Sequence, residues 1–258
     1  MKKDVRHLQE EAIENKDYEL ACNLAFNANI NDVKNLQNVI IKYGDARTAF
    51  RFAKIKGADI KALEQVVLIE GIPSIAFDFA HDHKLMADVK ALEAIAANGS
   101  DAKSAYMFAT QFEHTDIKTL GSAVVRSNNA EYAYLFARDV AGADIQALQQ
   151  TVIDNVTRIN AYHVYDFARH IKGADMARLQ NTVLKHQCSH IAYSFARDVE
   201  GADIHALAQL AIDTHDAKSA YSFAKFIHGV DVTALEQVIL NYGNQETISK
   251  WMGLSRCC

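Results

Sequence analysis

One proline, Pro73, and 11 glycines are the only strong breakers of regular structure in this 258-residue chain. So few breakers exclude long loops and favour plentiful helices. No apolar run approaches the ~20 residues that cross a bilayer, so a spanning helix is excluded. The first residues, MKKDVRHLQEEAIEN, carry two lysines but no apolar segment behind them, which excludes a signal peptide there. A basic excess is also lacking: 27 Lys and Arg stand against 32 Asp and Glu, a net charge of −5. Nucleic-acid binders usually show a basic domain, so that partner class is disfavoured.

The four cysteines, Cys22, Cys188, Cys257 and Cys258, lack the spacing of a disulfide framework. They read as free thiols of a reducing compartment, and the expected location is the cytoplasm. There is no phosphate loop, no G-x-S-x-G, no H-E-x-x-H and no spaced cysteine pair. No enzyme and no cofactor are expected. What remains is ordinary for a globular chain, with half of the residues apolar and 23% charged.

What is present is a repeat. An Asp followed by a β-branched residue or Met, with Leu three further on, occurs at Asp4, Asp32, Asp59, Asp88, Asp116, Asp144, Asp175, Asp203 and Asp231. The intervals are 28, 27, 29, 28, 28, 31, 28 and 28 residues. A second anchor, Phe-Ala, precedes the last seven at Phe52, Phe79, Phe108, Phe136, Phe167, Phe195 and Phe223; Leu24-Ala25 is a worn copy.

Each half of the unit has a helical period. Ala133, Phe136, Ala137 and Val140 fall on one stripe, and Ile145, Leu148 and Val152 on another. The anchor Asp sits just before the second stripe, where its carboxylate accepts free N–H groups and meets the positive end of the helix dipole. Asp45, Asp101, Asn129 and Asp216 open the first helices, and Pro73 lies just inside another such start. Gly57, Gly142, Gly173, Gly201 and Gly229 suit a left-handed turn ending the first helix.

The repeat predicts an all-α fold, an α-solenoid of about eight ~28-residue helix-turn-helix repeats over residues 17–242. Single capping helices are expected at 1–15 and 244–254, the latter with Ser249 at its aromatic position. Residues 1–258 read as one repeat domain of roughly eighteen helices. The pattern resembles the short helical tandem-repeat proteins, the broad tetratricopeptide-, Sel1- and HEAT-like class. The period is shorter than the ~34 or ~40 residues of those repeats, and no named family's signature is matched. The resemblance implies a right-handed superhelix and a non-catalytic scaffold that binds a protein or peptide.

One repeated position stands on the flank of the first stripe. It holds Phe50, Phe77, Tyr106, Tyr134, Tyr165, Tyr193 and Tyr221, and four residues later come Lys54, His81, Thr110, Arg138, Arg169, Arg197 and Lys225. Residues at i and i+4 are neighbours on a helix, so Tyr134–Arg138, Tyr165–Arg169, Tyr193–Arg197 and Tyr221–Lys225 are candidate pairs. These rows either pack repeat against repeat, with acids such as Asp139 and Asp198 as partners, or line a groove. A groove of aromatic and basic groups suits an acidic peptide or, as the alternative function, single-stranded nucleic acid. Outward positions vary along the chain, and Met107 and Leu135 there are candidate protein contacts.

Histidines cluster at His186-x-Cys188-x-His190 and His81-Asp82-His83, but zinc needs three or four converging ligands, and no metal site is expected. Cys188 occupies a first-helix cap position. The terminal Cys257-Cys258 resembles the prenylation signal of Rab-type small GTPases, without a GTPase motif or a basic run beside it. The functional expectation is an interaction module, in its sharper form a microbial or phage host-interaction or inhibitor protein, secreted into host cytosol where lipidation matters.

Overall fold

The computed structural model describes residues 5–27, 33–157 and 161–255. Among them there are 18 α-helices and no strand. The all-α reading therefore holds. The anchors Asp4 and Asp32 and the pair Cys257-Cys258 lie outside the described residues.

The helices gather into two compact units, residues 1–127 and 128–258. Unit one holds α1 (Val5–Glu14), then the pairs α2 (Tyr18–Asn27) and α3 (Val33–Tyr43), α4 (Ala46–Phe52) and α5 (Ile60–Glu70), α6 (Pro73–Asp82) and α7 (Val89–Asn98), α8 (Ala102–Gln111) and α9 (Ile117–Arg126). Unit two holds the pairs α10 (Ala130–Asp139) and α11 (Ile145–Asp154), α12 (Tyr162–His170) and α13 (Met176–Lys185), α14 (Ser189–Asp198) and α15 (Ile204–Asp213), α16 (Ala217–Phe226) and α17 (Val232–Tyr242), then α18 (Gln245–Ser255). Within each unit every helix packs on the next and on the next but one, with α11 and α13 standing further apart. That is the contact pattern of stacked helix pairs.

The core repeats with the sequence. Phe52, Phe79, Phe108, Phe136, Phe167, Phe195 and Phe223 are fully buried, as are Leu63, Leu92, Leu120, Leu179, Leu207 and Leu235 from the second helices. Each buried Phe is worth roughly 1.5–3 kcal/mol of transfer free energy, which a lone helix pair cannot realise without a neighbour.

Helix starts follow the expected chemistry. The carboxylates of Asp59, Asp88, Asp116, Asp144, Asp175, Asp203 and Asp231 each accept the N–H three residues on, at 3.0–3.1 Å. Asp45, Asp101, Asn129 and Asp216 cap first helices, and Pro73 is the first residue of α6.

The glycines correct one detail. All five have positive φ, from 78° to 88°, but they do not end the helix. Before Gly57 the helix stops well short, at Ala53; at the other four it stops two residues earlier, on an extended residue such as Val140, Ile171 or Val199. These residues turn into the core, with 5–7% exposure, before the chain reverses. The Ala143 N–H then reaches the Val140 carbonyl at 3.3 Å with Gly142 third of four, a type II turn that needs positive φ there. In the α8–α9 turn the equivalent residue is His114, at φ 60°.

The end helices are less covered than an apolar stripe implies. In α1 Val5 and Ile13 are exposed and only Ala12 is buried; in α18 Met252 is 49% exposed.

A second repeated device ties pair to pair. Five residues after the anchor Asp stands a buried Gln or Glu, at Gln37, Glu64, Glu93, Gln149 and Gln180. Each accepts the backbone N–H of the next anchor Asp. Gln37, Glu93, Gln149 and Gln180 do so for Asp59, Asp116, Asp175 and Asp203 at 2.6–2.8 Å, and Glu64 does so for Asp88. Gln37 and Gln149 also donate back to the carbonyls of Asp59 and Asp175, at 3.4 and 3.3 Å. In α17, Glu236 accepts the indole N–H of Trp251 at 2.8 Å. Gly121 and Ala208 stand at this position in α9 and α15.

Candidate functional site

The aromatic and basic positions of unit two lie on α10, α12, α14 and α16, and the structure brings each predicted pair together. The cations of Arg138, Arg169, Arg197 and Lys225 lie 5.3, 5.9, 5.3 and 5.3 Å from the ring centres of Tyr134, Tyr165, Tyr193 and Tyr221. A cation over a ring face at this distance is held by the ring quadrupole.

The cations also have protein partners. Arg138 makes a two-pronged pair with Asp139 at 2.7 and 2.8 Å, and Arg197 an equivalent pair with Asp198 at 2.7 Å. Arg169 lies 3.6 Å from the same Asp198 and donates to the Tyr165 hydroxyl at 2.8 Å. Lys225 donates to the Tyr221 hydroxyl at 3.0 Å. The Arg197 guanidinium beside Asp198 holds that carboxyl well below the usual carboxylate range. Asp139 and Asp198 in turn push the guanidinium groups of Arg138 and Arg197 upward. Such fork-to-fork pairs are the strong form of a charged hydrogen bond.

The rings point at the next pair. Tyr134, 8% exposed, lies with its hydroxyl 3.2 Å from Nδ1 of His170. Tyr165 donates its hydroxyl to Asp198. Burial, then that carboxylate, pushes its pKa up. Tyr193 meets Phe223 edge-on at 5.8 Å, and Tyr221 meets Trp251 edge-on at 6.4 Å. Unit one repeats the geometry in apolar form: Phe50 lies against Phe79 and Phe77 against Phe108, at 6.3 and 5.4 Å. Lys54 covers the Phe50 ring at 4.3 Å and pairs with Asp82 at 2.9 Å. The rows thus join neighbouring pairs within each unit.

Met107 on α8 and Leu135 on α10 are half-buried. The large apolar side chains most open to solvent are elsewhere: Leu85 at 92%, Ile69 at 83%, Tyr242 at 56%, Met86 at 55% and Phe226 at 54%. Leu85 and Met86 form the α6–α7 turn, and Ile69 ends α5. Period-based reading passed over them because they break the repeat; the signal was Met86 where five other turns carry glycine, with Leu85 before it.

Cys188 caps α14 without a side-chain bond to the helix and is fully buried, its thiol 3.6 Å from the His186 carbonyl. Burial pushes the Cys22 thiol up. His190 points to solvent, so the three residues of His-x-Cys-x-His do not converge. Among the described residues no three His, Cys, Asp or Glu side chains gather as metal ligands, and no helix is long and apolar enough to cross a membrane.

The buried Gln and Glu clamp was missed in the sequence. Its signal was present: an amide or carboxylate recurring five residues after the anchor, inside an otherwise apolar stripe.

Fold and contacts define a class, an all-α protein of consecutively packed helix pairs. No protein-family model, no curated protein and no solved structure matches the chain.

Proposed function

We propose that the chain is a non-catalytic module that binds a protein or peptide in the cytoplasm. The observation that carries this reading is the division of labour between repeated and unrepeated residues. Tyr134, Tyr165, Arg138, Arg169 and Arg197 bond to one another, to Asp139 and Asp198, and to the neighbouring pair. Of the large apolar residues, Leu85, Met86 and Ile69 are among those left most open, and they are unrepeated. Apolar groups open to water suit a protein surface better than a phosphate backbone. A groove for single-stranded nucleic acid is disfavoured by the same pairs, because a phosphate has to displace Asp139 and Asp198 from their guanidinium partners.

The test uses three forms of the full chain as bait in cell extract: wild type, Leu85→Asp with Ile69→Asp, and the triple variant Arg138→Ala, Arg169→Ala, Arg197→Ala. Mass spectrometry should find a partner held by wild type and by the triple variant, and lost from the Leu85/Ile69 variant. Single-stranded RNA bound at ~50 mM salt, released steeply by added salt and lost in the triple variant, would overturn the reading in favour of the groove.

A further inference from the structure

His83 follows α6 and holds the α6–α7 turn together. Its N–H donates to the Phe79 carbonyl at 3.0 Å, and its own carbonyl accepts the N–H groups of both Met86 and Ala87 at 2.8 Å. Its ring is packed against the Phe79 ring, centres 4.9 Å apart, and the residue is only 9% exposed. Nε2 is buried and has no hydrogen-bond partner in the protein. The same turn carries Leu85, the most exposed large apolar residue among those described, and its neighbour Met86. Side chain, main-chain anchor and apolar display therefore meet in six residues.

A ring so placed tolerates the neutral form. Protonation puts a charge beside Phe79 with one N–H unbonded, a state that burial disfavours strongly. Of the titratable groups on surrounding elements, Asp82 on α6 and Lys54 after α4 act on the ring, in opposite senses. They are paired with each other at 2.9 Å, which limits the help Asp82 gives. His81 faces Asp82, while Glu64 on α5 and Glu93 on α7 bond to the N–H groups of Asp88 and Asp116. Lys84 and, on α8, Lys103 are exposed.

We propose that the α6–α7 turn is an acid-released latch: neutral His83 holds the turn closed, and protonation expels its ring and frees residues 83–88 with Leu85 and Met86. Burial lowers the His83 pKa from 6.5, the direction this device requires. The sign follows. The open turn binds the proton at the ordinary pKa of about 6.5 and the closed turn only below it, so opening becomes more favourable as pH falls through that window. One proton per opening event gives ~tenfold more opening per pH unit until the closed form itself titrates.

The test is proton NMR of the whole chain between pH 8 and 5, with amide exchange of Met86 and Ala87 corrected for intrinsic rates. In wild type the His83 ring should titrate below 6.5, and Met86 and Ala87 protection should fall about tenfold per pH unit in the window. In His83→Phe, which keeps a ring and removes the proton site, protection should not change with pH. Wild-type titration at or above 6.5, or the same loss of protection in His83→Phe, overturns the latch. Should His83→Phe not fold, the wild-type ring titration and amide protection, followed in one sample, decide: a ring that titrates without loosening Met86 and Ala87 overturns it equally.

Discussion

The two units are built from one brick and joined by different chemistry. In unit one the flank position holds Phe50, Phe77 and Tyr106, and the two phenylalanines make joints of ring against ring. In unit two it is Tyr, whose hydroxyl finds an acid or a basic group in the next pair or on its own helix. The buried clamp also varies, though not strictly by unit, since Gln37 of unit one is an amide like Gln149 and Gln180. Glu64 and Glu93 come with a lysine three residues before, Lys61 and Lys90, whose ammonium takes the second carboxylate oxygen at 3.0 and 3.2 Å. Gln149 and Gln180 have Gln146 and Ala177 there instead. A carboxylate has two acceptors and needs a cation for the second; an amide carries its own donor and returns it to a carbonyl, as Gln149 does to Asp175. The joint, not the brick, is where a tandem repeat has freedom to vary, because it must satisfy hydrogen bonds and not a particular side chain.

The largest effects are expected at the core positions that both units share. Phe79→Ala and Phe136→Ala remove fully buried rings from equivalent sites and should each cost about 3–5 kcal/mol in urea denaturation. Very unequal losses would show that the bricks are not equivalent.

The clamp ranks next. Gln149→Leu leaves the Asp175 N–H buried without a partner and should cost about 1–3 kcal/mol. Exchange is asymmetric: Glu64→Gln should cost less than Gln149→Glu, since position 146 offers no ammonium to a new carboxylate. Equal costs would separate the clamp from its lysine.

Each unit also buries one histidine ring with an unbonded nitrogen, Nε2 of His83 and Nδ1 of His163. Burial lowers both pKa values from 6.5. The unfolded chain then binds the proton first, so stability is fully present above about pH 6.5 and lost as pH falls through the folded values. The slope is about 1.4 kcal/mol per pH unit for each histidine inside that window. Melting temperatures from pH 7.5 to 5 should fall in wild type, less in His163→Phe, and a flat profile refutes the assignment.

The shared carboxylate of unit two is smaller. Asp198→Asn weakens contacts to Arg197, Arg169 and Tyr165, and the guanidinium groups stay half open to water, so about 0.5–1 kcal/mol is expected, shrinking with salt. Smallest is a gain: His114→Gly relieves a positive φ at the one of these turns that has histidine where others have glycine, and should add about 0.5 kcal/mol to stability.

The sequence by itself determined the brick. Period, cap and turn are local: Asp144 caps because its carboxylate is three residues from the N–H it accepts, and Gly142 allows a φ that costs other residues energy. Such rules are written within a few residues and repeat with the chain. Only the tertiary structure decided what the repeated flank residues do. Tyr165 and Asp198 are 33 residues apart, and Gln149 and Asp175 are 26. Whether a tyrosine–arginine row faces a ligand or the next pair depends on how helices stack, and distance along the chain carries no record of that. Leu85 and Met86 make the same point from the other side: their identity was visible from the start, but their exposure belongs to a turn held by the buried ring of His83.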